Sequence, residues 1–261
     1  MRQVNTGNIL PFYKANDLKS EDFFKSPTRH FVGGDLRLLP FQLIIPYPIN
    51  NQDFDLFNSS GTLIGALAID DEQEDIAATV KMYTYFGATT QAVSNCGFYQ
   101  IRVKDSTVVS PYDYFSEWIF VKTDWTHEIS FTNTSDIGQV MYQTNYAQRL
   151  CFNGYEDTPK TDITTGVEIG LNGLEVITSA RQTEKRVLVG SGFLDSQLTA
   201  LQRIGLHKTI TINDKENAET HTVTRLDFTH EPQGDGANTG TFEFIVDTAT
   251  VEGCGVNTFV L

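Results

Sequence analysis

Apolar and polar residues alternate with a period of two through much of the chain. Asp53-Phe54-Asp55-Leu56-Phe57 and Thr62-Leu63-Ile64-Gly65-Ala66-Leu67 flank the polar tetrad Asn58-Ser59-Ser60-Gly61. Two such runs around a turn whose glycine can take a positive φ predict a β-hairpin. Residues 80–86 read as a strand, with Met82, Thr84 and Phe86 on one face and Tyr83 and Tyr85 on the other. Residues 96–103 alternate in the same way: Phe98, Gln100 and Arg102 oppose Tyr99, Ile101 and Val103. The run 114–121 is apolar on both faces and predicts a strand covered from two sides. With about seven short strands at turn-separated spacing, 39–123 predicts a β-sandwich.

The second half carries further strand-like runs at 128–133, 140–143, 146–152, 183–189, 208–212, 220–228 and 241–248. Asn153-Gly154 reads as a tight turn, the Thr-rich stretch 155–166 as an exposed loop, and 213–219 as a charged hairpin loop. The breakers Pro232, Gly234, Gly236 and Gly240 predict a long loop over 231–240. One segment has helical spacing: Leu194, Leu198, Leu201 and Ile204 line one face of a helix over 191–204. Ser191 would cap its start and Gly205 would end it. The expected fold class is mainly β. An extended N-terminal arm (1–38) precedes a β-sandwich domain (39–124). A β-rich α+β domain (125–261) with one substantial helix follows. The arm, with Ile9-Leu10-Pro11-Phe12-Tyr13 and Phe23-Phe24, is expected to be mostly irregular. It either docks on its own chain or lies against a neighbouring subunit, and contact with another subunit is the prediction.

Charge narrows the function classes. The 261 residues carry 33 acidic and 19 basic side chains, a formal net charge of −14. Nucleic acid and anionic membranes both demand a cationic surface, so neither is an expected partner. No apolar run approaches the roughly 20 residues of a membrane-spanning helix, and the first residues show no secretory h-region. Cys96, Cys151 and Cys254 are too dispersed for a metal pair or a disulfide framework. They read as buried free thiols made in a reducing cytoplasm.

The candidate chemistry is sparse. Asp70-Asp71-Glu72-Gln73-Glu74-Asp75 packs five acids into six positions but lacks the spacing of a calcium loop, and reads as a solvated loop. Gly190-Ser191-Gly192 has neither the Lys-Ser/Thr ending of a phosphate loop nor a nucleophile elbow, and reads as a strand-to-helix turn. His30, His127, His207, His221 and His230 form no pair at ligand spacing and read as strand or surface side chains. His221 and His230, on or beside strands, are the two to which the fold could bring a metal partner. Trp118, Trp125, Tyr112 and Tyr114 lie close in sequence, and exposed on a groove they would form a glycan platform; strand aromatics more commonly pack between sheets. No catalytic residue, cofactor-binding residue or metal ligand is assigned, and no cofactor is expected.

The order of several segments carries a resemblance. Asn8-Ile9-Leu10-Pro11-Phe12-Tyr13 opens the chain, and Arg37-Leu38-Leu39-Pro40-Phe41-Gln42 precedes the first long strands. The hairpin Asp55-Leu56-Phe57-Asn58-Ser59-Ser60-Gly61, then Gly97-Phe98-Tyr99-Gln100-Ile101 and Tyr114-Phe115-Ser116-Glu117-Trp118-Ile119-Phe120-Val121, follow. This succession resembles virion structural proteins encoded by phages and prophages of Bacteroidetes bacteria. Their second halves contain a strand, a Leu-rich helix and a Thr-Ile strand, to which 186–212 is similar. The resemblance rests on strand and turn vocabulary and transfers no functional residue. It implies a non-enzymatic subunit of the tail, baseplate or neck, made in the bacterial host cytoplasm and resident in the virion. The implied partners are copies of itself in a ring, held by arm and loop contacts, and other tail or neck proteins. The alternative is a carbohydrate- or receptor-binding module on the particle, with a host glycan as its ligand.

Overall fold

The structure is a computed structural model. It describes residues 9–10, 12–14, 30–31, 33–34, 37–38, 41–46, 52–77, 80–85, 93, 95–105, 112, 114–135, 146–169, 175–193, 195–223, 225–231 and 238–252. The described chain is mainly β.

A four-stranded sheet has the order β1 (Ile9–Leu10), β6 (Phe41–Pro46), β10 (Val80–Tyr85), β9 (Asp70–Ala77). A second sheet is built on β11 (Gly97–Asp105), which pairs along its length with β7 (Gln52–Asn58). The other edge of β11 meets β12 (Tyr114–Ser116) and then β13 (Ile119–Val121). The predicted single strand 114–121 is thus broken at Glu117 and Trp118. β8 (Leu63–Ala66) completes the hairpin with β7. Its turn forms because the Asn58 side-chain oxygen accepts the backbone N–H groups of Ser60 (3.0 Å) and Thr62 (2.9 Å), while Gly61 takes φ +76°.

The described pieces of the N-terminal arm are strands paired to their own chain. β1 lies parallel to β6, β2 (Phe12–Lys14) pairs with β12, and β3 (His30–Phe31) with β13. β4 (Gly33–Gly34) and β5 (Arg37–Leu38) form a small ladder of their own. Both larger sheets feed one apolar cluster, including Phe41, Tyr83 and Tyr85 from the first and Phe54, Ile101, Val103 and Ile119 from the second. The rings of Phe54 and Tyr83 meet edge-on at 5.3 Å between the two.

A third, eight-stranded sheet holds the second half. Its order is β19 (Glu219–Val223), β18 (Thr209–Asp214), β14 (His127–Thr132), β15 (Gln148–Glu156), β17 (Glu175–Phe193), β21 (Asn238–Glu252), β20 (Arg225–Glu231). β16 (Lys160–Ile169) also pairs with β17. Ile129, Phe131, Ile210, Ile212, Leu150, Phe152, Leu188, Phe242 and Phe244 alternate inward to make the second apolar cluster. Phe152, Phe193, Phe228 and Phe242 pack ring against ring at its centre, with Phe242 4.9 Å from Phe228 and 5.3 Å from Phe152.

Several expectations are corrected. The helix predicted over 191–204 is shorter, α1 (Asp195–Leu201), followed by a 3-10 turn at Ile204–Leu206. Ser191 and Phe193 belong instead to β17, where Phe193 enters the aromatic cluster and its carbonyl accepts from the Asn238 side chain (3.0 Å). The apolar stripe itself is real: Leu198, Leu201 and Ile204 are buried. Asn153-Gly154 is no turn but lies within β15, and the expected loop 155–166 is the end of β15 and most of β16. Gly154 is needed for close approach, since a Cβ there would stand 2.7 Å from the Val189 carbonyl oxygen. The acidic run 70–75 is not a loop but part of β9, which pairs with β10. The last strand is longer than expected and begins at Asn238, inside the predicted 231–240 loop; 232–237 and the expected strand 140–143 lie outside the described residues.

Candidate functional site

Two features of the third sheet stand out, and both lie on the face that forms the second core. The first is a ribbon. β15 and β16 run along the same edge of β17, paired from Asn153↔Ser191 to Ile169↔Glu175. β21 flanks the other edge of β17 as far as Ser179↔Glu252. Between Phe193 and Leu188 the core face of β17 is buried, at Leu188, Gly190 and Phe193. Beyond it, nine of the ten residues of β16 are exposed. Alternation along β16 sorts Thr161, Ile163, Thr165, Val167 and Ile169 onto one face and Lys160, Asp162 and Glu168 onto the other. Through Thr161↔Glu184, the β-branched face is the continuation of the core face of β17. Ile163, Val167 and Ile169 are nonetheless 64%, 48% and 77% exposed. The opposite face is tied by exposed ion pairs, Arg181–Asp247 (2.6 Å) and Lys185–Glu243 (2.7 Å). Among the described strands, β16 pairs only with β17.

The second feature is a polar cluster at the root of the ribbon. His127 stands opposite Asp214 on β18 and Phe152 on β15. It shares a face with Ile129 and Phe131, just as Asp214 follows Ile210 and Ile212. Glu156 follows Phe152 and Gly154 on the same face of β15. One ring nitrogen of His127 and one carboxylate oxygen each of Glu156 and Asp214 lie within 4.8 Å of one another.

Each of the three is held from behind. Thr126 Oγ1 lies 2.8 Å from His127 Nδ1. Asp214 Oδ1 accepts the backbone N–H groups of Glu216 (2.9 Å) and Asn217 (3.1 Å), and Oδ2 accepts the Asn217 amide (2.7 Å). Burial opposes its ionisation, but these hydrogen bonds and the neighbouring His127 outweigh burial and hold the Asp214 carboxyl below the usual range. Arg186 binds Glu156 Oε2 (3.1 Å), Glu184 Oε2 (3.0 Å) and Glu219 Oε2 (3.2 Å). Burial disfavours its charge, yet hydrogen bonds and charge from Glu184 and Glu156 prevail and raise the guanidinium above its ordinary value. His221 Nε2 comes within 3.2 Å of Glu219 Oε2 but out of line for a hydrogen bond. His127 Nε2 and Glu156 Oε1 are buried with no hydrogen-bond partner.

The residues singled out by sequence are dispersed. His221 borders this cluster, whereas His230 is exposed and stacks on Phe228. Tyr114 is buried in the first cluster, Trp125 packs against it, and Trp118 is half-buried. Tyr112 donates to Asp55 Oδ2 (2.6 Å); burial, then that hydrogen bond and the Asp55 charge, push its hydroxyl up to about 12. Cys151 is buried as expected, Cys96 is exposed, and Cys254 lies outside the described residues. Sequence reasoning missed His127, Glu156 and Asp214: the strand read at 128–133 began after His127, and Glu156 and Asp214 fell in the expected loops 155–166 and 213–219. Only the pairing of β14, β15 and β18 brings them together.

No family model, curated protein or solved structure matches the chain. No helix among the described residues is long and apolar enough to cross a membrane.

Proposed function

We propose that this chain is a non-enzymatic structural subunit of a bacteriophage virion, of the tail, baseplate or neck, that assembles with copies of itself into a ring or collar. In this reading 39–124 is a β-sandwich, and the third sheet supplies the assembly element. One observation carries the self-assembly: the core face of the third sheet continues uncovered along β16, where Ile163, Val167 and Ile169 are exposed. An apolar sheet face is stable when another layer covers it. A second copy offers such a layer, and the edge of β16 that pairs with no other described strand offers backbone groups for strand addition. The described arm strands pair with their own chain, so the ribbon takes over the joining role first expected of the arm. The virion assignment rests on the resemblance in segment order. No described feature gathers Trp118, Trp125, Tyr112 and Tyr114 into one platform, so the glycan-binding alternative has no observation in its favour.

The test is the mass of the full chain in solution across a range of concentrations, with images of any large species. Discrete closed rings that disperse on the double change Ile163→Asp and Val167→Asp are expected. A monomer at every concentration, or rings indifferent to that change, would overturn the assembly reading.

A further inference from the structure

We propose that His127, Glu156 and Asp214 form a divalent-metal site at the root of the ribbon, of the class that takes Zn²⁺ in preference to Mg²⁺ or Ca²⁺. The first observation is convergence: three strands that share no sequence neighbourhood deliver one imidazole and two carboxylates to a space 4.8 Å across. The second is an unmet demand. His127 is 2% exposed, and its Nε2 is buried without a hydrogen-bond partner, as is Glu156 Oε1. A buried polar atom left unpaired is destabilising, and two of the three converging side chains each carry one.

One tautomer of His127 satisfies the most hydrogen bonds around it. Thr126 Oγ1 accepts the Gly154 backbone N–H (2.9 Å) and can donate to the Gly154 carbonyl (3.3 Å). If Nδ1–H donates to Oγ1 at 2.8 Å, the hydroxyl makes all three of its hydrogen bonds. Nε2 then bears a lone pair, the form that binds metal, with Nδ1 anchored from behind as metal-bound imidazoles are. Glu156 is arranged the same way, with Oε2 on Arg186 and Oε1 free. On Asp214, Oδ1 receives two donors and Oδ2 one, which leaves Oδ2 a lone pair.

Charge favours the same occupant. Arg186 meets the three carboxylates of Glu156, Glu184 and Glu219, and Asp214 lies beside Glu156: four carboxylates and one guanidinium, a net −3. A divalent cation brings it to −1. One imidazole with two carboxylates is a borderline set, so Zn²⁺ should outrank Mn²⁺, and Mg²⁺, which favours all-oxygen surroundings, should be weakest. Bonds of about 2.1 Å place tetrahedral ligands about 3.4 Å apart, so the side chains close by roughly 1 Å on binding. Three protein ligands leave a position for water. The ion would clamp β14, β15 and β18 where the buried sheet becomes the exposed ribbon.

The experiment uses the untagged full chain, stripped with chelator and dialysed against Zn²⁺ or Mg²⁺, with bound metal counted by elemental analysis and Tm recorded. One Zn²⁺ per chain is expected, with Tm rising by about 5 °C at free Zn²⁺ 100-fold above Kd, and little response to Mg²⁺. Glu156→Gln, at a half-buried position, should stay folded by circular dichroism and lose Zn²⁺ binding at least tenfold; His127→Ala should lose it entirely. Co²⁺ in place of Zn²⁺ should give visible bands without the near-ultraviolet charge transfer of a thiolate. No bound Zn²⁺, equal binding by Glu156→Gln, or a thiolate spectrum would each overturn the site. Ring formation by the stripped chain is read separately, so the metal site and the assembly reading fail independently.

Discussion

β17 has two halves with the same alternating pattern and opposite surroundings. From Arg186 to Phe193 it lies between β15 and β21, with Leu188 and Phe193 buried in the aromatic cluster and a Gly190 so close to Phe152 that a Cβ would meet that ring at 2.6 Å. From Ser179 to Lys185 it lies between β16 and β21, and the flanking β16 is exposed almost throughout. Backbone hydrogen bonding is equivalent in the two halves, so ladder pairing does not distinguish them. What differs is the covering layer: α1 and the 3-10 turn contribute Leu198, Leu201 and Ile204 to the buried half. The polar cluster marks the border. Strand formation and burial are therefore separate decisions, and the ribbon has made only the first.

The largest expected effect lies in the covered half. Phe242→Ala removes a fully buried ring in contact with Phe152, Phe193 and Phe228, and should cost about 3–5 kcal/mol by denaturant unfolding. Ile163→Ala on the ribbon, measured on the monomer, should stay within about 0.5 kcal/mol. Equal losses at both positions would erase the distinction. At the border, Arg186→Gln leaves Glu156, Glu184 and Glu219 facing one another without their shared cation. Its cost should be about 2–3 kcal/mol, below that of a fully buried pair because Glu219 is half-exposed. A neutral Arg186→Gln would show that the cluster does not hold the root of the ribbon.

The strands were the most legible part of the sequence, and the tertiary decisions the least. The 53–67 hairpin was readable because Asn58 and Gly61 impose a local geometry. The ribbon was not: Thr161, Thr164, Thr165 and Gly166 look like loop composition, and only pairing with β17 makes 160–169 a strand. The acidic 70–75 run misled for the same reason, since only pairing with β10 makes it a strand. The helix was overlong because the periodicity at 191–204 says nothing of the competing ladder, which claimed Ser191 and Phe193. His127, Glu156 and Asp214 were not legible: each fell outside the strands that the pattern predicted, and their meeting depends on strands distant in sequence.

The most direct measurement is backbone hydrogen exchange, compared between assembled and dispersed chain. The account predicts that the amides of 160–169 exchange rapidly in the dispersed chain and slow at least tenfold on assembly, while those of 240–246 stay slow in both. Unchanged exchange along 160–169 in the assembled form would contradict the claim that the ribbon joins the subunits.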